Sequence, residues 1–326
     1  MGNHMGRGMN RSKNLWQQAK RSGLATLRLS IRSNHNRIVA CGVLVCLVYS
    51  LAWVGMVGHL TLTGSSETLL NFGFIYLGVS ALLRSRQQLA EYKPAEDDRL
   101  LGYLLILSGS AIFAVFPHSI SLQAVLCMVI LVGIGLSTWG AMVFRSHLVP
   151  ILLLIVSVYP HLGFAGNTIR RTLTGHQLES WMAWLSSLMF QAFGQTASAQ
   201  NQFLSLSTTF EPSKTVEVAS GCSGFDMAFV LAGVGLILGL FFKQTGSKIL
   251  WLMLIGVVLA LALNVPRIML LAIAVAYWGQ ESFQFWHGPI GGQIFATAML
   301  TGYYYAVMPL IITKQTKVKG QKQPHL

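Results

Sequence analysis

The chain has 326 residues, 53% of them apolar and only 10% charged, against about 25% charged in an ordinary soluble domain. With a mean hydropathy of +0.56 it is too poor in charge to cover a water-facing surface. That excludes a soluble globular domain and a disordered chain. The formal charge of +13 would suit nucleic acid on a soluble basic fold. Here, however, the basic residues stand in blocks between apolar runs, so they point to membrane topology and no nucleic-acid partner is expected.

Residues 1–37 form a basic tail with eight Lys/Arg, expected to be solvated and cytoplasmic. The first apolar run, 38–60, is about 23 residues long. A signal-peptide core is shorter, so the run predicts a retained span. Further spans are expected at 68–83, 100–116, 120–144 and 148–166, completing a five-span region over 38–166. Residues 167–224 form a non-membrane segment. In it Leu178, Trp181, Met182, Leu185, Leu188, Met189 and Ala192 recur at helical spacing, while Glu179, Ser186, Ser187 and Gln191 fall elsewhere on the wheel. That predicts a helix lying on the membrane surface. FLSLSTTF and KTVEVAS then alternate at period two around Glu211-Pro212-Ser213, predicting a β-hairpin. A three-span region over 225–313 follows, with spans at 225–242, 249–267 and 289–313, and a second basic tail at 314–326. The apolar stretch 268–279 could extend the seventh span, lie in the interface or re-enter the membrane. The expected fold is an all-α polytopic membrane protein of about eight transmembrane helices, with a small outer helix and hairpin.

Charge sets the expected orientation. With the N-terminus cytoplasmic, nineteen of the 23 Lys/Arg fall on the inner side. Only Arg170, Arg171, Lys214 and Arg267 fall outside. This is the positive-inside pattern, and an even number of spans puts both termini in the cytoplasm.

Three residues could carry chemistry on the outer side. Cys41, Cys46 and Cys127 lie inside spans, where cysteine acts as a small apolar residue. Cys222 alone sits at an outer boundary without a partner, so it is expected to be a free thiol. Its place before the sixth span suggests a thiol pKa lowered by the helix N-terminus. Gly221 and Gly224 offer bare backbone for a substrate and for an oxyanion. The bland alternative is a small-residue helix entry packed on a neighbour. Arg267, in Asn264-Val265-Pro266-Arg267, is costly at membrane depth and is a functional candidate on that ground. About 1.5 Å of rise per residue from Ile249 puts it roughly 27 Å along its helix, near the outer face. The alternative is an arginine snorkelling to the interface. Asn264 shares its face, and Pro266 predicts a kink. His287 precedes the last span at the same outer level, where a histidine beside a cysteine would make an activated nucleophile. A lone histidine is more often structural. Asp226 could pair with Arg267 or join the site. His161 and His176 are weaker outer candidates. No His/Cys/carboxylate cluster has metal-ligand spacing, so neither a metal nor another cofactor is expected.

Cys222-Ser223-Gly224 at a span start, Asn264-x-x-Arg267 late in a following span, and His287-x-x-x-Gly291 before the last span together resemble the exosortase/archaeosortase family, including its cyanobacterial branch. The resemblance covers about Val216 to Phe295. It implies a multispanning cysteine protease or transpeptidase of the plasma (inner) membrane, with the catalytic set Cys222, Arg267 and His287 facing outward. Gly221, Ser223, Gly224, Asn264 and Asp226 would be supporting residues. The implied substrates are exported proteins whose C-terminal sorting tail carries a Pro-Glu-Pro motif, a transmembrane helix and a basic end. The acceptor could be water, an amine, or a cell-surface glycolipid or polysaccharide. Phe225-Asp226 departs from the basic residue many members carry after Cys-Ser-Gly, and Pro266 is a further departure. Gly221-Cys222-Ser223-Gly224 also fits the Gly-x-Ser-Gly pattern of rhomboid intramembrane proteases, in which Ser223 would be the nucleophile and His287 the base. A non-enzymatic transporter or assembly factor, with Arg267 and Asp226 lining a polar path, is the other class.

Overall fold

The computed structural model describes residues 33–207 and 214–320. The proximal tail 1–32, the Glu211-Pro212-Ser213 turn and residues 321–326 lie outside the described residues. The described chain is predominantly helical. Five helices are long and apolar enough to cross a membrane: α1 (Asn34–Leu62), α4 (Glu96–Val115), α5 (Ile120–Trp139), the stretch Gly246–Trp278, and α13 (Pro289–Gly320) over its segment Pro289–Ile312. A sixth span is added if α7 (Leu148–Ser157) and α8 (Leu162–Thr174), bent by 97° at their break, are taken together. Two further apolar helices, α2 (Thr68–Arg84) and α10 (Phe225–Phe241), have 17 residues each, the lower edge of what spans a bilayer. The fold is therefore that of an all-α membrane protein.

The chain divides into two compact units. The first holds residues up to Ala52 and Ser85–Leu148. In it α4 and α5 pack as an antiparallel pair joined by a short turn. α4 is preceded by the short helix α3 (Arg86–Glu91), and α5 is followed by α6 (Met142–Ser146). The fourth expected span therefore ends at Trp139, earlier than 144, because Gly140 takes a positive φ of 76° and breaks the helix. Asp98 closes this end by accepting the Ala141 N–H at 2.8 Å. Cys46 and Cys127 face each other within the unit, their sulfurs 3.1 Å apart.

The second unit holds Trp53–Arg84 and Val149–Leu326. Its frame is the α10 hairpin with α11 (Gly246–Ile273). Gly256 lets the two helices touch, since a Cβ there would lie 2.8 Å from the Leu231 carbonyl oxygen. Tyr303 on α13 is fully buried against them and donates to the Leu252 carbonyl at 2.9 Å. Where α7 ends, its free carbonyls are taken by side chains: Asn71 Nδ2 donates to the Ser157 and Tyr159 oxygens at 3.0 and 2.8 Å. Satisfying such groups is obligatory in a setting without water. α11 does not stop at Pro266. It runs through that residue to Ile273 and continues as a π-helical turn, Ala274–Trp278. Residues 268–279 are thus helical extension up to Trp278. About 16 Å of helix remains beyond Arg267, so the arginine stands well short of the helix end.

The segment after α8 contains α9 (Gln177–Ala192) and three strands, β1 (Ala197–Gln200), β2 (Phe203–Leu206) and β3 (Lys214–Glu217). β2 pairs with both neighbours, antiparallel, in the order β1-β2-β3. The sheet therefore has one strand more than the expected hairpin. α9 keeps most of the expected apolar stripe on its outward side, with Met182 turned inward. Glu179, Met182, Ala183, Ser186, Ser187 and Phe190 are its buried residues, while Trp181, Trp184, Leu185, Leu188 and Met189 are exposed. Its protein-facing side is thus partly polar, and its apolar stripe is left for a non-protein surroundings. The buried side works because Arg170 on α8 pairs with Glu179 in a fork, at 2.8 and 3.2 Å, with both side chains under a tenth exposed. Asn167 also accepts from Arg170, and the guanidinium lies 5.2 Å over the Phe225 ring at the start of α10.

Candidate active site

β3 leads through Val218, whose N–H donates to the Gln202 carbonyl at 2.8 Å, into a single 3-10 turn, Ser220–Cys222. Gly224 then takes a left-handed φ of 82° and starts α10. That conformation favours glycine. Space demands it too, because a Cβ at Gly224 would lie 2.8 Å from Asn264 Cγ. The close approach lets Asn264 Nδ2 donate to the Cys222 carbonyl at 2.8 Å. Asn264 is fully buried in mid-α11, so the bond fixes the cysteine turn to that helix. Gly224 therefore serves this join; it does not open a path for substrate. Gly221, by contrast, is exposed, with nothing near a Cβ position.

A cavity of about 470 Å³ lies beside this turn, and Gly221, Asp226, Arg267 and His287 all line it. Arg267 contributes from α11. Its Cζ stands 5.7 Å over the Phe295 ring, and its buried Nε has no hydrogen-bond partner among the described residues. His287 ends α12 (Gln280–His287), is exposed, and stacks on Phe283 with ring centroids 5.1 Å apart. Asp226, in the first turn of α10, feels the charges of Glu67, Arg170 and Arg267.

Cys222 adjoins this cavity through Gly221 but is not on its lining. It is 8% exposed and packs with Met182, Ala183, Val265 and Ile268, with Trp286 against the same cluster. Among the described residues no hydrogen bond joins Cys222 to His287. The electrostatics also differ from expectation. Burial pushes the Cys222 thiol above its ordinary value, Arg267 pulls it down, and Asp226 adds to the rise. Burial leads because the cysteine is shielded from water, which disfavours the charged thiolate. Ser223 is fully buried, and its hydroxyl donates to the Ser220 carbonyl at 2.7 Å. A serine so engaged is poorly placed as a nucleophile.

One wall was not anticipated. The loop Thr63–Glu67 between α1 and α2 lines the same cavity, Gly64 lying against Pro289. Glu67 Oε2 accepts the Gly163 N–H at 2.8 Å near the start of α8, where the helix end favours a carboxylate. Its only sequence signal is an acid after a Gly-Ser-Ser turn at a span start.

No curated protein and no solved structure shows significant similarity to the chain. A protein-family model described as transmembrane exosortase matches residues 63–304. That range takes in the Glu67 loop, the Cys222 turn, Arg267 and His287, and it covers most of the chain. The chain therefore belongs to the transmembrane exosortase family.

Proposed function

We propose that the protein is a cysteine peptidase or transpeptidase of the plasma membrane that cleaves C-terminal sorting tails from exported proteins. The supporting observation is the cavity that gathers Gly221, Asp226, Arg267 and His287 beside the Cys222 turn. In this reading α1, α2, α4, α5, the α7–α8 pair, α10, α11 and α13 make eight crossings. Both termini are cytoplasmic and the cavity opens outward. The cytoplasmic tails 1–37 and 314–326, the five-span region 38–166, the outer segment 167–224 and the three-span region 225–313 are its working parts.

The chemistry proceeds in two halves. His287 takes the Cys222 proton, and the thiolate attacks the scissile carbonyl carbon. The partnerless Nε–H of Arg267 is a donor for the oxyanion or for the substrate backbone. The C–N bond breaks, His287 returns its proton to the leaving amine, and a thioester remains on Cys222. The acceptor, water or a surface amine or hydroxyl, then gives its proton to His287 and attacks the thioester. The thiolate leaves and is reprotonated.

The test is cleavage of an exported protein bearing such a tail, in cells carrying Cys222→Ala or Ser223→Ala. Cleavage lost with Cys222→Ala and kept with Ser223→Ala is expected. The reverse pattern would establish a serine enzyme, and full function of both variants would leave a transporter or assembly role.

A further inference from the structure

A second groove lies at the start of α9, away from the residues just described. It measures about 430 Å³ and is lined by His176, Gln177, Ser180, Trp181, Asn201 and Gln202. None of the six carries a fixed charge. Three are amides, one a hydroxyl, one an imidazole and one an indole that is 61% exposed. A phosphate or carboxylate ligand would call for a cation, and none lines the groove. Planar amides beside a bare indole suit a different partner. Sugar hydroxyls each donate and accept, as amides do, while the C–H face of a sugar ring packs on an aromatic plane.

The groove is built rather than incidental. Asn201, at the β1–β2 turn, holds a left-handed φ of 51°, a conformation uncommon outside glycine and tolerated by asparagine. Gln202 Nε2 donates to Glu217 Oε1 at 2.8 Å, which orients its amide. Trp184 meets Trp181 edge-on at 6.0 Å. A smaller hollow of about 290 Å³, lined by Ser180, Trp181 and Trp184, adjoins it through the shared Ser180 and Trp181. Beyond the indoles the exposed stripe continues through Leu185, Leu188 and Met189. Polar groove, indole pair and apolar stripe follow one another along a single helix. That is the order of a glycolipid read from head group to acyl chain, with the indoles between polar and apolar parts as tryptophan stands at membrane interfaces.

We infer that this groove binds the saccharide head group of a membrane glycolipid. Met182 and Ala183, next along α9, pack in the cluster that contains Cys222, so the helix that holds the sugar also supports the cysteine turn. The binding proposed here does not rest on the function proposed above.

Binding is measured on the full-length protein in a sugar-free detergent and in phosphatidylcholine nanodiscs. One arm offers free maltose, cellobiose and diacetylchitobiose, followed by saturation-transfer NMR. The other offers glucosyl diacylglycerol against plain diacylglycerol, followed by native mass spectrometry. Binding in the glycolipid arm alone identifies a membrane lipid as the source, and binding in both arms identifies the sugar itself as the determinant. Trp181→Ala and Asn201→Gly should each weaken binding by about tenfold, the loss of one well-placed contact. The second variant preserves the backbone conformation, so it guards against misfolding of the first. Cys222→Ala should bind like the unaltered protein, which keeps a failure here separate from a failure of the catalytic reading. No binding in either arm, insensitivity to either variant, or displacement of the sugar by a sorting-tail peptide overturns the inference.

Discussion

Replacing Gly224 by alanine perturbs the join between the cysteine turn and α11. The φ of 82° at this position costs an alanine about 1–2 kcal/mol. The added Cβ would also meet Asn264 Cγ at 2.8 Å, and Asn264 sits in mid-helix with no room to retreat. Pushing it aside breaks its bond to the Cys222 carbonyl. Losing a hydrogen bond to a buried group costs about 1–3 kcal/mol more. The expected total is therefore about 2–5 kcal/mol. The mechanism is separable by a double-mutant cycle. In an Asn264→Ala background there is no side chain to displace, so Gly224→Ala should cost only its backbone share, about 1–2 kcal/mol. Unfolding of the purified protein in mixed micelles, followed by tryptophan fluorescence, gives the four stabilities. Equal costs in the two backgrounds would refute the coupling through Asn264.

Three other outcomes follow from the same geometry. Alkylation of Cys222 should need a more alkaline medium than an ordinary thiol, because burial raises its pKa, and Arg267→Gln should move the profile further up by removing the cation that lowers it. The linkage has a defined sign: the folded state holds the thiol proton more tightly than the unfolded chain, so this contribution is full below the ordinary thiol range and is lost as pH rises from there through the raised folded value. Arg170→Met alone, or Glu179→Leu alone, strands a buried charge and should cost about 3–5 kcal/mol in the same unfolding assay, whereas the pair together should recover much of that loss. Labelling of intact cells with a membrane-impermeant thiol reagent, slow because Cys222 is covered, should still discriminate against the thiols inside the spans; labelling that requires membrane permeabilisation would reverse the proposed orientation.

Much of the frame was legible because hydropathy and helix length are local properties. Every expected span has a helix over most of its range, although Thr68–Arg84 and Phe225–Phe241 are short. Arg267 and His287 could be brought to one level by counting residues along helices, and both line one cavity. What was not legible depends on tertiary neighbours. Glu67 enters the cavity only because its loop folds against Pro289 and its carboxylate caps Gly163. Gly224 looked like open backbone, but Asn264, forty residues on, fills the space above it. The Cys222 thiol was expected to be acidic from its place before a helix; burial, invisible in the local sequence, reverses the sign. On α9 the outward apolar stripe was legible, but the burial of its polar side was not. Arg170 draws Glu179 inward, and the Trp181 to Met189 stripe turns away from the protein.

The central claim is that Cys222 carries the acyl group. The most direct measurement is intact-protein mass spectrometry after brief exposure of the reconstituted protein to a sorting-tail substrate, with and without hydroxylamine. A covalent adduct on Cys222 that hydroxylamine removes, absent in Cys222→Ala, is the predicted result. Cleavage of the tail by Cys222→Ala at the unaltered rate, with no adduct in either protein, would contradict it.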